Sequence, residues 1–300
     1  MSTIKLHQLI KELNRTDLES ADFDYLVSKL RAAAEDTGIP LRSRAQLLYR
    51  ARISNSEKIL IARDLGAPPK EKVTGFQRCN PPGVPMFYGA STPLTALLEV
   101  DAQVGDTIFL SQWFPKWHAL INHVFDQGEF ATRPHSTPKE ILFHSYLDTL
   151  FTRPISALFS NQYKLTAAVA TVFTTNIELG PEDAGRSDGT VGIRYPSIAH
   201  SYRGWNTAFH AAFAAEQLEL VHTTQLRVLS RAQENLQISV IDNALEHMDG
   251  SLIWTGNPAS IPLPNKDPQG IDFISNGRSW VLPVYVEMPG DAEVAAFLRG

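Results

Sequence analysis

The chain opens with two apolar stripes of helical period, separated by a short polar segment. Apolar side chains recur at spacings of three and four, which places each stripe on one face of a helix. The stripes are Leu6, Leu9, Ile10 and Leu13 in the first helix, and Phe23, Leu26, Val27 and Leu30 in the second. Gly38 and Pro40 follow as stop signals for the second helix. We predict an N-terminal helical hairpin over residues 1–44.

The period then changes to that of strands. "AQLLYRARI", residues 45–53, and "VPMFYGA" further on are short apolar runs that predict two strands, with a Pro-rich loop between them. A helix is expected next, because Ser91 or Thr92 can cap it and Pro93 suits its first position. That helix ends near the acidic residue Glu99.

The rest of the chain mixes the two periods without regular alternation. "STPKEILFHSYLDTLFTRP" predicts a helix capped by Ser136 or Thr137, and "NQYKLTAAVATVFTTNI" predicts another. "GTVGIRYPS", "ELVHTTQLRVLSRA" and "LQISVIDNAL" are typical of strands. This order favours an α+β fold over a doubly wound parallel sheet. We expect one main domain with insertions over 45–255, and an irregular C-terminal extension, 256–300, packed on the same domain.

Composition and charge exclude several classes of protein. The 300 residues are 43% hydrophobic with a formal net charge of −5, so the chain lacks the basic footprint of a nucleic-acid-binding protein. A single cysteine, Cys79, rules out a disulfide within the chain and fits a reducing compartment. The uncharged stretches are too short and polar to cross a bilayer, and the charged N-terminus is unlike a signal peptide. We predict a cytoplasmic protein that binds neither nucleic acid nor membrane directly.

Most of the candidate chemistry lies in "GFQRCNPPGVPMFYGASTPLTALLEV", residues 75–100. Asn80 begins a Pro- and Gly-rich turn that also follows Arg78. Glu99 stands near the C-terminal end of its helix, where the macrodipole slightly disfavours an acid. Taken alone, these are ordinary loop and surface residues, and Tyr88 on an apolar strand is more often a core residue than a ligand contact.

Three segments together resemble the RES domain family, which is named for an Arg, a Glu and a Ser in this order. They are "LYRARI", then "GFQRCNPPGVPMFYGASTPLTALLEV", then "GIRYPSIAHSYRGWNTAF". The named positions fall on Arg50 or Arg52, Glu99 and Ser197, and Asn206 follows nine residues after the serine. The resemblance covers roughly residues 47–215. The sequence departs from the family pattern at Gln77, where a glycine usually precedes the arginine.

The resemblance implies a core similar to ADP-ribosyltransferases, with mixed sheets flanked by helices. It also implies a bacterial toxin or defence effector that degrades NAD+ by cleaving the nicotinamide–ribose bond with water or inorganic phosphate. NAD+ would be the substrate and not a cofactor, and an antitoxin with a helix-turn-helix domain would be the partner. Two alternatives stay open: transfer of ADP-ribose to a protein, and a catalytically silent module that binds nucleotide or a partner. The oligomeric state is not predicted.

Under this resemblance each named residue has an expected role. Glu99 stabilises the positive charge that develops on the ribose, as carboxylates do in glycoside hydrolysis. Arg50 and Arg52 share one face of the predicted strand, and either suits the pyrophosphate or a free phosphate. Ser197 hydrogen-bonds the ribose or Glu99. Asn206 hydrogen-bonds a phosphate, the ribose or the carboxamide.

Four further residues are expected to bind the substrate or to shape its pocket. Tyr88 and Tyr195 are candidates for stacking on nicotinamide. Arg78 and Asn80 either contact the substrate or fix the turn beside it. The sequence contains neither a Gly-x-Gly-x-x-Gly motif nor a Walker-type loop, so a Rossmann-type site is not expected. The histidines show no metal-ligand spacing, and no metal is predicted.

Overall fold

The fold of the chain is α+β, as predicted. A computed structural model describes residues 2–37, 42–44, 46–55, 57–116, 120–124, 136–156, 159–174, 190–232, 235–257, 271–275 and 278–281. The helices in these ranges are α1 (Thr3–Arg15), α2 (Phe23–Thr37), α3 (Pro93–Glu99), α4 (Pro138–Thr152), α5 (Lys164–Thr174) and α6 (Ala211–Gln217). None of the described helices is both long and apolar enough to cross a membrane.

The described strands form one mixed sheet. They are β1 (Arg42–Arg44), β2 (Leu48–Ile53), β3 (Met86–Ala90), β4 (Thr107–Pro115), β5 (Leu120–His123), β6 (Thr190–Pro196), β7 (Trp205–His210), β8 (Leu218–Ala232), β9 (Asn235–Glu246), β10 (Leu252–Trp254), β11 (Ile271–Ser275) and β12 (Arg278–Val281). Their order is β1-β5-β6-β7-β3-β2-β4-β8-β9-β11-β12, and β10 pairs with β9. The β5–β6 and β9–β11 pairs are parallel and the others antiparallel.

Helices α1 and α2 form the predicted N-terminal hairpin and share a core with α4, α5 and the middle of the sheet. The leucines of each apolar stripe are buried, and Leu6 and Leu26 are fully enclosed. They lie in one cluster with Phe143 of α4 and Ile193 of β6. The hairpin therefore covers one face of the sheet, because its stripes need an apolar surface to pack against.

Helix α3 is short, capped at its N-terminus and packed against the sheet. Its cap is Thr92, whose hydroxyl accepts the backbone N–H of Thr95 over 3.1 Å, so the structure selects one of the two predicted caps. Pro93 occupies the first turn. The helix buries Leu94 and Leu97 in a cluster with strands β2, β4, β8 and β9. This packing fixes the position of its last residue, Glu99.

The predicted irregular extension contains regular structure. Strand β11 pairs in parallel with β9 and in antiparallel with β12, so part of 256–300 extends the sheet. The sequences "IDFIS" and "RSWV" carry the β-branched and aromatic residues that favour strands, and the preceding Pro-rich run obscured them. The rest of 258–300 lies outside the described residues. The domain boundaries stay predictions.

Candidate active site

The carboxylate of Glu99 is held by two hydrogen bonds to one of its oxygens. Ser197 Oγ donates to Oε1 over 2.6 Å, and Asn206 Nδ2 donates to the same atom over 2.6 Å. Among the described residues, none donates to Oε2. Ser197 and Asn206 are buried, at 0% and 5% exposure, whereas Glu99 itself is exposed. Two buried donors therefore fix the carboxylate through Oε1, and Oε2 is left for a ligand.

The β6–β7 hairpin brings the two donors together. Ser197 follows the last residue of β6, and Asn206 pairs with Tyr195 near the start of β7. The turn between them is closed by Ser197 N–H donating to Gly204 O over 2.8 Å. Tyr202 N–H donates to Ser197 O over 2.8 Å, and Tyr202 has a φ of 64°. A non-glycine residue in this left-handed region costs energy, which the hydrogen bonds and packing of the turn offset.

His200, which was not among the predicted site residues, connects this turn to helix α3. Its backbone N–H donates to Ser197 Oγ over 3.1 Å, and its Nδ1 lies 2.9 Å from Thr95 Oγ1. Burial, and then the positive charge of Arg203, lower the pKa of His200, so the imidazole is neutral at pH 7. No local pattern in the sequence indicates this contact, because 105 positions separate Thr95 from His200.

Arg50 and Arg52 share a strand face but differ in surroundings. Arg50 Nη1 donates to Tyr88 O over 2.8 Å, its guanidinium lies 5.3 Å from the Phe87 ring centroid, and its Nε is buried without a partner. Burial, and then the charge of Arg52, lower the pKa of Arg50 to about 10. Arg52 is exposed and donates to the carbonyl of Asp64. Neither arginine hydrogen-bonds Glu99.

Tyr88 is anchored through its hydroxyl to the turn that precedes it. The phenol donates to Asn80 Oδ1 and accepts the Cys79 N–H over 3.1 Å. Asn80 is fully buried, and Arg78 donates to Phe151 O over 3.0 Å at the end of α4. Asn80 thus contacts Tyr88 beside the turn, and Arg78 joins the turn to the end of α4; their expected roles toward a substrate stay predictions.

Tyr195 lies in the core near the end of β6, opposite Asn206 of β7. Its ring is 5% exposed and lies 5.7 Å from the ring of Phe151. Burial raises the pKa of Tyr195 well above its ordinary value, and the neighbouring Cys79, Tyr88 and Glu99 raise it further. The phenol is thus within electrostatic range of Glu99. Its expected stacking on nicotinamide stays a prediction, and little of the ring is open to a ligand.

Within the ranges that the structure describes, no group of three or more His, Cys, Asp or Glu side chains is placed to hold a metal ion. The groups that hydrogen-bond the carboxylate are a hydroxyl and an amide. They are suited to positioning a charged side chain.

The comparison with protein families agrees with these motifs. The profile of the RES domain family matches residues 47–230, more than half of the chain, and the protein belongs to that family. The match contains Arg50, Glu99, Ser197 and Asn206, and it reaches further toward the C-terminus than the segments that carried the resemblance. No curated protein matches the chain significantly. At the level of the family, a RES domain indicates a toxin-like, NAD-related function and an association with toxin–antitoxin systems.

Proposed function

We propose that this protein degrades NAD+ by cleaving the bond between nicotinamide and ribose, as a toxin or defence effector. The observation that carries the proposal is the Glu99 carboxylate, clamped at Oε1 by Ser197 and Asn206. The helix end leaves Glu99 exposed, while both of its donors are buried. A carboxylate held in this way needs little reorganisation to face a developing positive charge.

The chemistry fits this geometry. Nicotinamide departs with the electron pair of the carbon–nitrogen bond, and positive charge develops on the ribose carbon and ring oxygen. The Glu99 carboxylate stabilises that charge, and Oε2 accepts a hydrogen bond from a ribose hydroxyl. The oxygen of water then bonds to the ribose carbon and loses a proton, which gives ADP-ribose. Inorganic phosphate in the place of water gives ADP-ribose-1″-phosphate.

Arg50 is the candidate for binding the phosphates. Its positive charge is largely withdrawn from solvent, and within the described ranges its guanidinium makes one hydrogen bond, to a backbone carbonyl. The unpartnered Nε leaves a donor unsatisfied in a buried place. An anion would satisfy it, and a guanidinium binds phosphate oxygens in a bidentate manner. Arg52 is exposed and already bonded to Asp64, so we assign it no part in the chemistry.

The proposed partner is an antitoxin with a helix-turn-helix domain. The association of the RES family with toxin–antitoxin systems supports this proposal. A freely active enzyme would drain the NAD+ of the cell that makes it, so an inhibitor is required. Expression of the chain alone should arrest growth, and co-expression with its antitoxin should restore it.

Purified protein incubated with NAD+ tests the activity. Nicotinamide release with ADP-ribose as product would establish a glycohydrolase, and ADP-ribose-1″-phosphate formed only with added phosphate would establish a phosphorylase. Release that needs an added protein acceptor, which becomes ADP-ribosylated, would support the transferase instead. Binding of NAD+ with no release under any condition would leave a silent binding module and overturn the proposal.

A further inference from the structure

We propose that His200 is a positioning residue, which sets the Ser197 hydroxyl against Glu99 by fixing the β6–β7 turn to helix α3. Its kinetic test rests on the proposed function, and its structural test does not. The positioning acts through a contact between the turn 197–204 and the helix Pro93–Glu99.

Two hydrogen bonds cross between these elements one helical turn apart. Ser197 Oγ donates to Glu99 Oε1, and His200 Nδ1 meets Thr95 Oγ1 at 2.9 Å. A third bond lies within the turn, where His200 N–H donates to Ser197 Oγ over 3.1 Å. Because that N–H occupies a lone pair of the serine oxygen, the hydroxyl proton is left to point at Glu99. His200 thus controls both the place and the orientation of the Ser197 hydroxyl.

The contact is tight and closed to water. Thr95 is fully buried and His200 is 1% exposed. A side chain on Gly204 would overlap Thr95 Oγ1 and approach His200 Nδ1, so the turn lies directly against the helix at this point. Thr92 Oγ1 lies 2.8 Å from Thr95 Oγ1, which holds the threonine hydroxyl in place. In such a site a small shift of the turn moves Ser197 directly, because no solvent layer absorbs it.

The side-chain chemistry suggests a matched set of variants. Asparagine can place a hydrogen-bonding atom near the position of Nδ1, so His200→Asn should keep the contact with Thr95. His200→Ala removes it and keeps the backbone N–H. His210 offers the control, because this partly buried histidine also bonds a threonine, with Nε2 lying 3.2 Å from Thr174 Oγ1. His210→Ala removes a similar contact from the far end of β7.

Nicotinamide release should separate the variants through kcat. We expect His200→Ala to lower kcat at least tenfold with KM for NAD+ changed less than twofold, since a small misplacement of a reacting group is costly. His200→Asn should recover most of that loss, and His210→Ala should keep the kcat of the unaltered protein. Equal losses of kcat in His200→Ala and His210→Ala, or no recovery in His200→Asn, would reduce His200 to a structural residue.

Crystal structures of the same variants test the inference without turnover. In His200→Ala the Ser197–Glu99 hydrogen bond should be lost, with the turn 197–204 displaced from α3, while His200→Asn and His210→Ala should keep it. An intact bond in His200→Ala would overturn the inference. If the unaltered protein released no nicotinamide, the proposed function would fail, and the crystal structures would still decide the role of His200.

Discussion

The hydroxyl of Ser197 donates to Oε1 of Glu99 over 2.6 Å, although 98 positions separate the two residues in sequence. The bond joins the C-terminal residue of α3 to the turn that follows β6. Each residue alone has an ordinary appearance, a surface acid and a strand-end serine. Together with the Asn206 amide, which donates to the same oxygen, they form one hydrogen-bonded unit.

The two donors to Glu99 should act on catalysis as a unit. Ser197→Ala and Asn206→Ala each leave Oε1 with one donor, so each should lower kcat for NAD+ by about 10- to 100-fold. The double variant should lose less than the product of the two single losses, because once the carboxylate is free to move the second donor adds little. Steady-state kinetics of nicotinamide release measure this.

Ser230→Ala is the control for this pair. It removes an exposed serine hydroxyl that lies 3.4 Å from Gln237 Oε1 on the long β8–β9 pair. Its kcat should match that of the unaltered protein. Fully multiplicative losses in the double variant would show that Ser197 and Asn206 act independently.

The packing of the turn 197–204 against α3 should not tolerate a side chain at Gly204. In Gly204→Ala the new Cβ would overlap Thr95 Oγ1, so the variant should lose about 1–3 kcal/mol of unfolding free energy. Thr95→Ala in the same chain removes the clash and should restore part of the loss. Urea unfolding measures both. Gly75→Ala is the control, because its new Cβ would meet only the Ser160 side chain at 3.3 Å; a similar loss there would contradict the account.

The sequence predicted the local elements well because their signals are local. The cap and proline at α3 and the Thr137 cap at α4 lie at positions that the sequence indicated. The strand order and the entry of β11 and β12 into the sheet depend on pairings between distant segments, which no short window contains.

Part of the candidate site could be predicted because its residues lie in local sequence motifs. Glu99, Ser197 and Asn206 came from motifs, and the structure brings these three together. The role of His200 was not visible, because it depends on a contact with Thr95 across 105 positions. Nor could the sequence separate Arg50 from Arg52, since strand alternation gives them the same face and only their neighbours differ.

The two arginines should therefore differ in function. Arg50→Lys replaces a buried planar guanidinium with a point charge, and it should raise KM for NAD+ at least tenfold, because bidentate phosphate binding is lost. Arg52→Lys should change KM less than twofold, since its side chain is exposed and bonded to Asp64. Nicotinamide release at varied NAD+ measures both values. A larger effect at Arg52 would reverse the assignment.

Stability should fall in mild acid. Burial lowers the pKa of His222 to about 4, and burial with the positive charge of Arg194 lowers that of His123 to about 4, against an ordinary 6.5. Between pH 6.5 and about 4, these two histidines are therefore protonated in the unfolded chain but neutral in the folded chain. The stability that these two neutral histidines contribute is present above pH 6.5 and is lost progressively as the pH falls toward 4.

Urea midpoints between pH 7.5 and 4.5 check this dependence. His222→Gln stays neutral throughout, so its midpoint should fall less steeply than that of the unaltered protein. Parallel curves for the unaltered protein and His222→Gln would contradict the assignment of buried, neutral His222.

The catalytic role of the Glu99 carboxylate is tested most directly by nicotinamide release from Glu99→Gln, compared with Glu216→Gln. Both glutamates are exposed near the C-terminal end of a seven-residue helix, so the pair isolates the clamped carboxylate from a change of charge at a helix end. Glu99→Gln should fold with unaltered stability and lose at least about 100-fold of its activity, while Glu216→Gln should keep full activity. Full activity in a folded Glu99→Gln variant would show that the Glu99 carboxylate has no part in catalysis.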